Sequence, residues 1–468
     1  MARIPAHVQR EHIANNAHRR MHVCMQVGNQ TLEHNATANS PLVAEQMGNV
    51  PRPVWIINDL KPGADLIGEV TAAFAASAIV FRELEPNLSL EFVKHARYLY
   101  DWMKSAKQLG TLYWKTLPGT VPLYKTENAA SHMMLAAAWM HKLTKEKAFA
   151  DDAKTQYGNA RLSQNWPVAD WSNPLQEAKL LVLEDSNEES ESFGVYLTSL
   201  QQYVDAQMTG VRTQYTPRGL WYATPDAKID PAQAGWGRLK SAAQAAHIAL
   251  RTAMIVDNLA VKPQDEYQIV WAHRARCFAL AQMQYITGTG QASAGRSFVT
   301  GWGKNPPKRP HHRGASCDFV TKGTACRHAQ FFDKNHVFPN VLPGGLVSGP
   351  TSVDQYADDH TQYTQSEVAC DYNAALISGA CRPGTFQFFP ARMHACPLPF
   401  VASFSEPAAF LTDSRLQPHC LAERLELEQR RSLCRRPHAV RAVGGCVRLQ
   451  RCPRLRCASN TSRPFLPA

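Results

Sequence analysis

A chain of 468 residues, 44% apolar and 19% charged, has the composition of a globular protein, and its length permits one large domain or two to three smaller ones. No stretch approaches the roughly eighteen uninterrupted apolar residues of a membrane span, so no membrane partner is expected. The formal charge of +11 suggests nucleic acid, but from Cys381 onward fourteen arginines face five acids, and the rest of the chain is nearly neutral. Aromatic interleaving and nucleic-acid motifs are missing from that basic stretch, which excludes nucleic acid as the expected partner.

Residues 1–23 carry none of the apolar run that a signal peptide requires, and they match no familiar segment. From about residue 63 to 290 the pattern is helical. Val70, Phe74, Ser77 and Phe81 follow at helical spacing after Pro62-Gly63-Ala64-Asp65 and predict a core-facing stripe. Further windows predict helices over 89–106, 128–143, 172–183 and 193–208. Leu239, Ala243, Ala246, Leu250 and Met254 form another stripe, and Val270, Phe278, Ala281 and Tyr285 a last one. Helices of similar length with alanine-rich inner faces predict an all-α fold of hairpins in a bundle, solenoid or closed ring, and no fixed period imposes a repeat solenoid. Residues 288–353 read as a long functional connection.

Within that connection runs Ser297-Phe298-Val299-Thr300-Gly301-Trp302-Gly303-Lys304-Asn305-Pro306-Pro307, ending in Pro310-His311-His312-Arg313. An imidazole and a guanidinium two residues apart on a Pro- and Gly-stiffened loop can donate to sugar hydroxyls or to a carboxylate. His311, His312, Cys317, Cys326 and His328 could instead bind metal, or Cys317 and Cys326 form a disulfide, but a Cys-x8-Cys spacing fits no common zinc module. No metal is therefore assigned. Downstream stand Tyr356-Ala357-Asp358, Tyr363, Glu367-Val368-Ala369 and Asn373-Ala374. If this stretch begins as a loop and continues as a helix, Tyr363 and Glu367 share one face. A carboxyl flanked by Tyr363 and apolar residues can stay protonated, as a general acid must. Read alone, a Glu on an amphipathic helix is a solvated surface charge.

The two stretches resemble the two signatures of glycoside hydrolase family 9, the cellulase-type β-1,4-glucanases. Phe338-Pro339-Asn340-Val341-Leu342 with Gly344-Gly345-Leu346-Val347, Tyr215-Thr216-Pro217 and Trp236-Gly237-Arg238-Leu239 are similar to family segments, so the resemblance covers about residues 24–378. It departs at Thr351, where an Asp is usual, and at His360, where an Arg is usual. The resemblance implies an (α/α)6 barrel of helical hairpins, incomplete at the N-terminus, with long loops forming an open cleft. It makes residues 24–380 a partial catalytic domain and leaves 381–468 as an Arg/Pro/Cys-rich tail expected to be unfolded.

By the same resemblance, Glu367 is the proton donor, Asp358 a supporting acid and His311 a catalytic-site histidine. Arg313, His312, Tyr363 and His34 are implied as substrate contacts, and Trp302, Trp221 and Tyr222 are candidates to stack on glucose rings. The expected partner is a β-1,4-glucan, the expected state a monomer and the expected location extracellular. No cofactor is implied, and calcium has no support in the residues. Family members invert the anomeric centre with a second carboxylate from an Asp-Ala-Gly-Asp segment. That segment does not occur in this sequence, which predicts either impaired hydrolysis or glucan binding without turnover.

Overall fold

The computed structural model describes residues 22–29, 51–117, 124–160, 169, 171–185, 191–209, 213–223, 236–259, 266–290, 295–317 and 333–380. His34, Cys326, His328 and the tail beyond residue 380 lie outside these.

A short antiparallel ribbon opens the described chain, with β1 (Val23–Val27) paired to β2 (Val54–Ile57). Three pairs of helices follow: α1 (Ala64–Val80) with α2 (Pro86–Met103), α4 (Ala129–Thr144) with α5 (Lys147–Ala160), and α6 (Leu175–Asp185) with α7 (Glu191–Thr209). The single turn α3 (Tyr113–Thr116) links the first two pairs. A hairpin of β3 (Thr213–Tyr215) and β4 (Trp221–Ala223) leads to a fourth pair, α8 (Arg238–Leu259) with α9 (Glu266–Thr287). One-turn helices α10 (Arg313–Ser316) and α11 (Tyr363–Ser366) interrupt the long connection, and α12 (Cys370–Ala380) ends the described chain.

The first helix of each pair also packs on the first helix of the next, in the order α1, α4, α6, α8, α12, which makes these five the inner wall of a ring. Their contact faces explain the geometry. α4 buries Ala136, Ala137 and Ala138, and α8 buries Ala242, Ala243, Ala245, Ala246, Ala249 and Ala253, so both helices are covered over much of their circumference. Methyl-sized side chains let neighbouring axes approach closely, and they favour the helix intrinsically. Local signals fix the ends: Pro86 starts α2, and the Asn128 side chain accepts from Ser131 N at 2.9 Å to cap α4. Across the ring Glu184 of α6 pairs with Lys142 of α4 at 2.7 Å and with Arg251 of α8, tying three inner helices together.

The expected helical windows are all present, with ends shifted by one to three residues. Two face assignments need correction. In α1 the core receives Ala64, Ile67, Gly68, Thr71, Ala72, Ala75 and Ala78, whereas Val70, Phe74, Ser77 and Phe81 are only half-buried. Almost every side of this helix is apolar, so periodicity could not select the covered one. In α9, Phe278 and Tyr285 are buried, but Ala281 is half-buried and Val270 is exposed, because the covered face at that end runs through Trp271, Ala272 and Ala275.

Lys179 of α6 is fully buried. Its ammonium donates to Ser199 Oγ at 2.8 Å and Gln176 Oε1 at 3.1 Å and sits 5.6 Å over the Tyr157 ring. Among the described residues no carboxylate pairs with it, and burial pushes its pKa down from 10.5 to about 8. A lowered folded-state pKa means that folding favours the neutral amine, so the protonated form costs stability below pH 8 and the penalty fades as pH rises toward the unfolded value. Lys179→Met is expected to raise stability at pH 7 by about 2–3 kcal/mol, with the gain shrinking between pH 8 and 10.5 in urea denaturation.

Candidate active site

The two signature stretches meet through their backbones. Val299 bridges Leu346, Val347 bridges Val368, and His311 bridges Glu367 in parallel. Four extended segments from the long connection are thereby laid side by side at the mouth of the ring. Thr300 fixes one of them, since its hydroxyl donates to the Leu342 carbonyl and accepts from Gly345 N at 2.9 Å. Asn373 fixes another, accepting from Leu346 N at 2.9 Å and donating to the Gly344 carbonyl at 2.6 Å.

Glu367 does not lie on a helix, contrary to the expectation. It caps the single turn α11 with extended backbone (φ −61°, ψ 145°), and α12 starts three residues later. The reason is the bridge to His311 and the bond from Ser348 N to the Glu367 carbonyl at 2.8 Å, which take backbone groups that a continuous helix would need. Its side chain is half-buried. Trp236 Nε1 and the Tyr372 hydroxyl, at 3.2 Å, both donate to Oε2. Burial raises the Glu367 pKa above its ordinary 4.5, these two donors pull it back, and the nearby charge of Asp371 raises it again. The net effect is a carboxyl held protonated to a higher pH than usual.

Tyr372 is placed by contacts from α8: its hydroxyl accepts from Ser348 Oγ at 3.3 Å, and that Oγ accepts from Gly237 N at 3.1 Å. Gly237 has φ +70°, a conformation that favours glycine, and a Cβ there would stand a tight 3.2 Å from the Tyr372 hydroxyl. Trp236 packs edge-on against Tyr363 at 5.4 Å, and Tyr363 lies 6.0 Å from the His311 ring. Tyr124 lies near enough that Asp371 and Glu367 add to burial in raising its pKa, and it meets Trp171 edge-on at 4.9 Å. Sequence reading missed Trp236, Tyr372, Tyr124 and Trp171. Trp236 was among the residues that carried the resemblance but was given no role, and Tyr372 stands between two quoted pieces of the second stretch without having been singled out.

His311 is held by its backbone N to the Ser366 carbonyl at 2.8 Å and by Nδ1 to the His360 carbonyl at 2.7 Å. A carbonyl only accepts, so Nδ1 carries the proton and Nε2 is the ring's other polar atom. His360, the departure from the family pattern, is fully buried, with its ring edge-on to Phe338 at 5.0 Å. Thr351, the other departure, accepts from Gln355 N at 3.1 Å and caps its own loop. Asp358 accepts from Lys308 N at 2.9 Å and Arg309 N at 3.1 Å, which ties down the loop leading into His311. His312 caps α10 through Nδ1, accepting from Ala315 N at 3.1 Å, and burial lowers its pKa. Arg313 opens the same turn, and Trp302 is 37% exposed.

Trp221 and Tyr222 are not stacking platforms. Both are buried, with 0% and 7% exposure, because β4 packs on α8; Trp221 N donates to Gln282 Oε1 at 2.8 Å, and Arg238 covers the Tyr222 ring at 4.9 Å. Cys317 is disulfide-bonded, which withdraws it from metal ligation. Among the described residues no three His, Cys, Asp or Glu side chains gather as a metal site, and no helix is long and apolar enough to cross a membrane.

The sequence model of glycosyl hydrolase family 9 matches residues 12–380. Endoglucanase A of Bacillus pumilus is 28% identical over 349 residues, covering 71% of this chain and 46% of the relative. Endoglucanase 5 of Arabidopsis thaliana is 27% identical, covering 70% of this chain and 52% of its own length. The chain thus spans about half the length of these curated relatives. Among solved structures, an endoglucanase from the termite Nasutitermes takasagoensis superposes with a TM-score of 0.62 at 31% identity, over 76% of this chain and 72% of the termite one. The endoglucanase CelQ of Clostridium thermocellum, complexed with cellotetraose, superposes with a TM-score of 0.58 at 23% identity, over 76% and 53%, and shows the shared fold. The inner ring of paired helices is that of the (α/α)6 barrel of these structures, and the chain belongs to glycosyl hydrolase family 9.

Proposed function

We propose that this chain carries the proton-donating half of an endo-acting β-1,4-glucan hydrolase, with Glu367 as general acid. The observation that supports this most is the Glu367 carboxyl, set by backbone bridges between His311 and Val347 and raised in pKa by burial. A glycosidic oxygen leaves as an alkoxide unless a proton reaches it, and a carboxyl that keeps its proton above the ordinary glutamic-acid range is suited to supply that proton at the moment of cleavage. Trp236 and Tyr372 then stabilise the carboxylate that remains, since both already donate to Oε2.

His311, with Arg313 and His312 on the following turn, offers nitrogen donors to sugar hydroxyls. Tyr363, Trp302 and the Tyr124–Trp171 pair offer ring faces and edges to the C–H surface of glucose. His34 belongs to this set by resemblance alone. Asp358 acts as a brace, since both of its carboxylate oxygens are occupied by backbone N–H groups. The substrate is a cellulose-type glucan, as the family's endoglucanases suggest, and secretion follows from the same family reading.

A second reading is glucan binding without turnover, favoured by the lack of an Asp-Ala-Gly-Asp segment in these 468 residues. One pair of measurements separates the two. If Glu367 is the acid, Glu367→Gln lowers release of reducing ends from soluble cello-oligosaccharides by about 10²- to 10⁴-fold while calorimetric binding of cellotetraose persists. Binding with no reducing-end release by the unmodified chain selects the second reading, and no binding by either form sinks both. Asp358→Ala is expected to cost about 1.5–3 kcal/mol of stability through two lost charge-assisted hydrogen bonds, read by thermal melting, and to slow hydrolysis far less than the change at Glu367.

A further inference from the structure

Lys240 stands where a cation is disfavoured. It lies in the first turn of α8, at the positive end of the helix dipole, and its side chain is only 15% exposed. A charge held there calls for a compensating one. Asp371 supplies it: its Oδ2 lies 3.8 Å from Lys240 Nζ, and it is the only charged side chain of α12. Asp371 occupies the first turn of α12, the end of a helix that a carboxylate favours, so its own placement does not require Lys240. The pair spans the same two helix starts that deliver the donors of Glu367 Oε2, with Trp236 four residues before Lys240 and Tyr372 next to Asp371.

Burial is the largest cause of the raised pKa values of Glu367, Tyr372 and Tyr124, and the Asp371 carboxylate adds to all three, so its field reaches across the site. We propose that Lys240 is a positioning residue that acts on Glu367 through Asp371: it ties the start of α12 to α8 and offsets the Asp371 charge, so that the carboxylate left after proton donation is tolerated. Asp371 alone would hold the proton on Glu367 too firmly, and Lys240 alone would release it too early. The other titratable groups around Glu367 among the described residues are His311 and Tyr363 on the loop side, with Tyr124 and Tyr372. Of the two helices whose starts meet at Glu367, α12 brings one charge and α8 brings its counterion.

This role rests on Glu367 being the acid, but its test needs no turnover. Carboxyl-carbon NMR titration of the full chain follows Glu367, while the His311 ring carbons report that residue's titration separately. Lys240→Met is expected to raise the Glu367 midpoint and Asp371→Asn to lower it, each changing its proton affinity at least about twofold. The double variant is expected to return the midpoint to that of the unmodified chain, because both charges leave together, and Lys240→Arg to keep it there. Each variant is checked for unchanged helicity by circular dichroism, and Lys240→Gln carries the same prediction where methionine disturbs the fold. A Glu367 midpoint that stays put when the Lys240 charge is removed overturns the proposal. So do shifts of the same sign in the two single variants, which is what a contact that only supports the fold would give. Reducing-end release reports on the role of Glu367 and the midpoint on the charge pair, so the two fail separately.

Discussion

The site depends on one constraint: the helix is ended at Glu367, which becomes extended, because neighbouring segments claim the Ser366 and Glu367 carbonyls that a continuing helix would use. Ser348 N bonds to the Glu367 carbonyl and His311 bridges Glu367 in parallel, while Val368 bridges Val347. A helix over 363–380 would have been locally acceptable. The break costs intrahelical bonds, and the bridges restore them. Its result is a side chain leaving the backbone at the junction of three elements, α8, α11 and α12, where an indole N–H and a phenol can both reach it.

Those two donors come from places far apart in the chain, and the ring brings them together. Trp236 lies at the entry to α8 and Tyr372 in the first turn of α12. Packing of α12 on α8 carries the second toward the first, and Gly237, at φ +70°, leaves the Tyr372 hydroxyl its room. The alanine faces of the inner helices therefore act on the chemistry at one remove: they set the spacing at which the ring's mouth places its polar groups. Burial and donors pull the Glu367 pKa in opposite directions, and burial is the larger effect. A residue that must lose a proton and take it back benefits from both, since the protonated form persists to a higher pH than usual and the anion is not left without partners.

Much of this was legible in the sequence. Helical periodicity located α2, α4 and α7 within a few residues, since a stripe repeated over four turns is a strong signal. The resemblance of the two signature stretches to family 9 is what singled out Glu367, His311 and Asp358 as candidates; spacing and residue type alone left Glu367 a surface charge. What escaped had physical causes. The covered face of α1 could not be read because the helix is apolar on nearly all sides. Trp221 and Tyr222 read as loop aromatics, but the short β3–β4 hairpin turns both into the core. Tyr363 and Glu367 do not share a helix face, because tertiary bridges end α11 after one turn. Trp236 and Tyr372 were invisible as a pair, because more than 130 residues separate them and only the α8–α12 contact joins them. Asp358, named as a supporting acid, has both oxygens on backbone N–H groups, a detail that residue type cannot carry.

The account stands on a Glu367 carboxyl that keeps its proton above the ordinary range for a glutamic acid. The measurement that tests this most directly is the titration of that carboxyl carbon by NMR in the unmodified chain, assigned by its loss in Glu367→Gln. A midpoint clearly above 4.5 is the predicted result. A midpoint at or below 4.5 would contradict the account, because Trp236 and Tyr372 would then outweigh burial and the residue would be an anion with no proton to give.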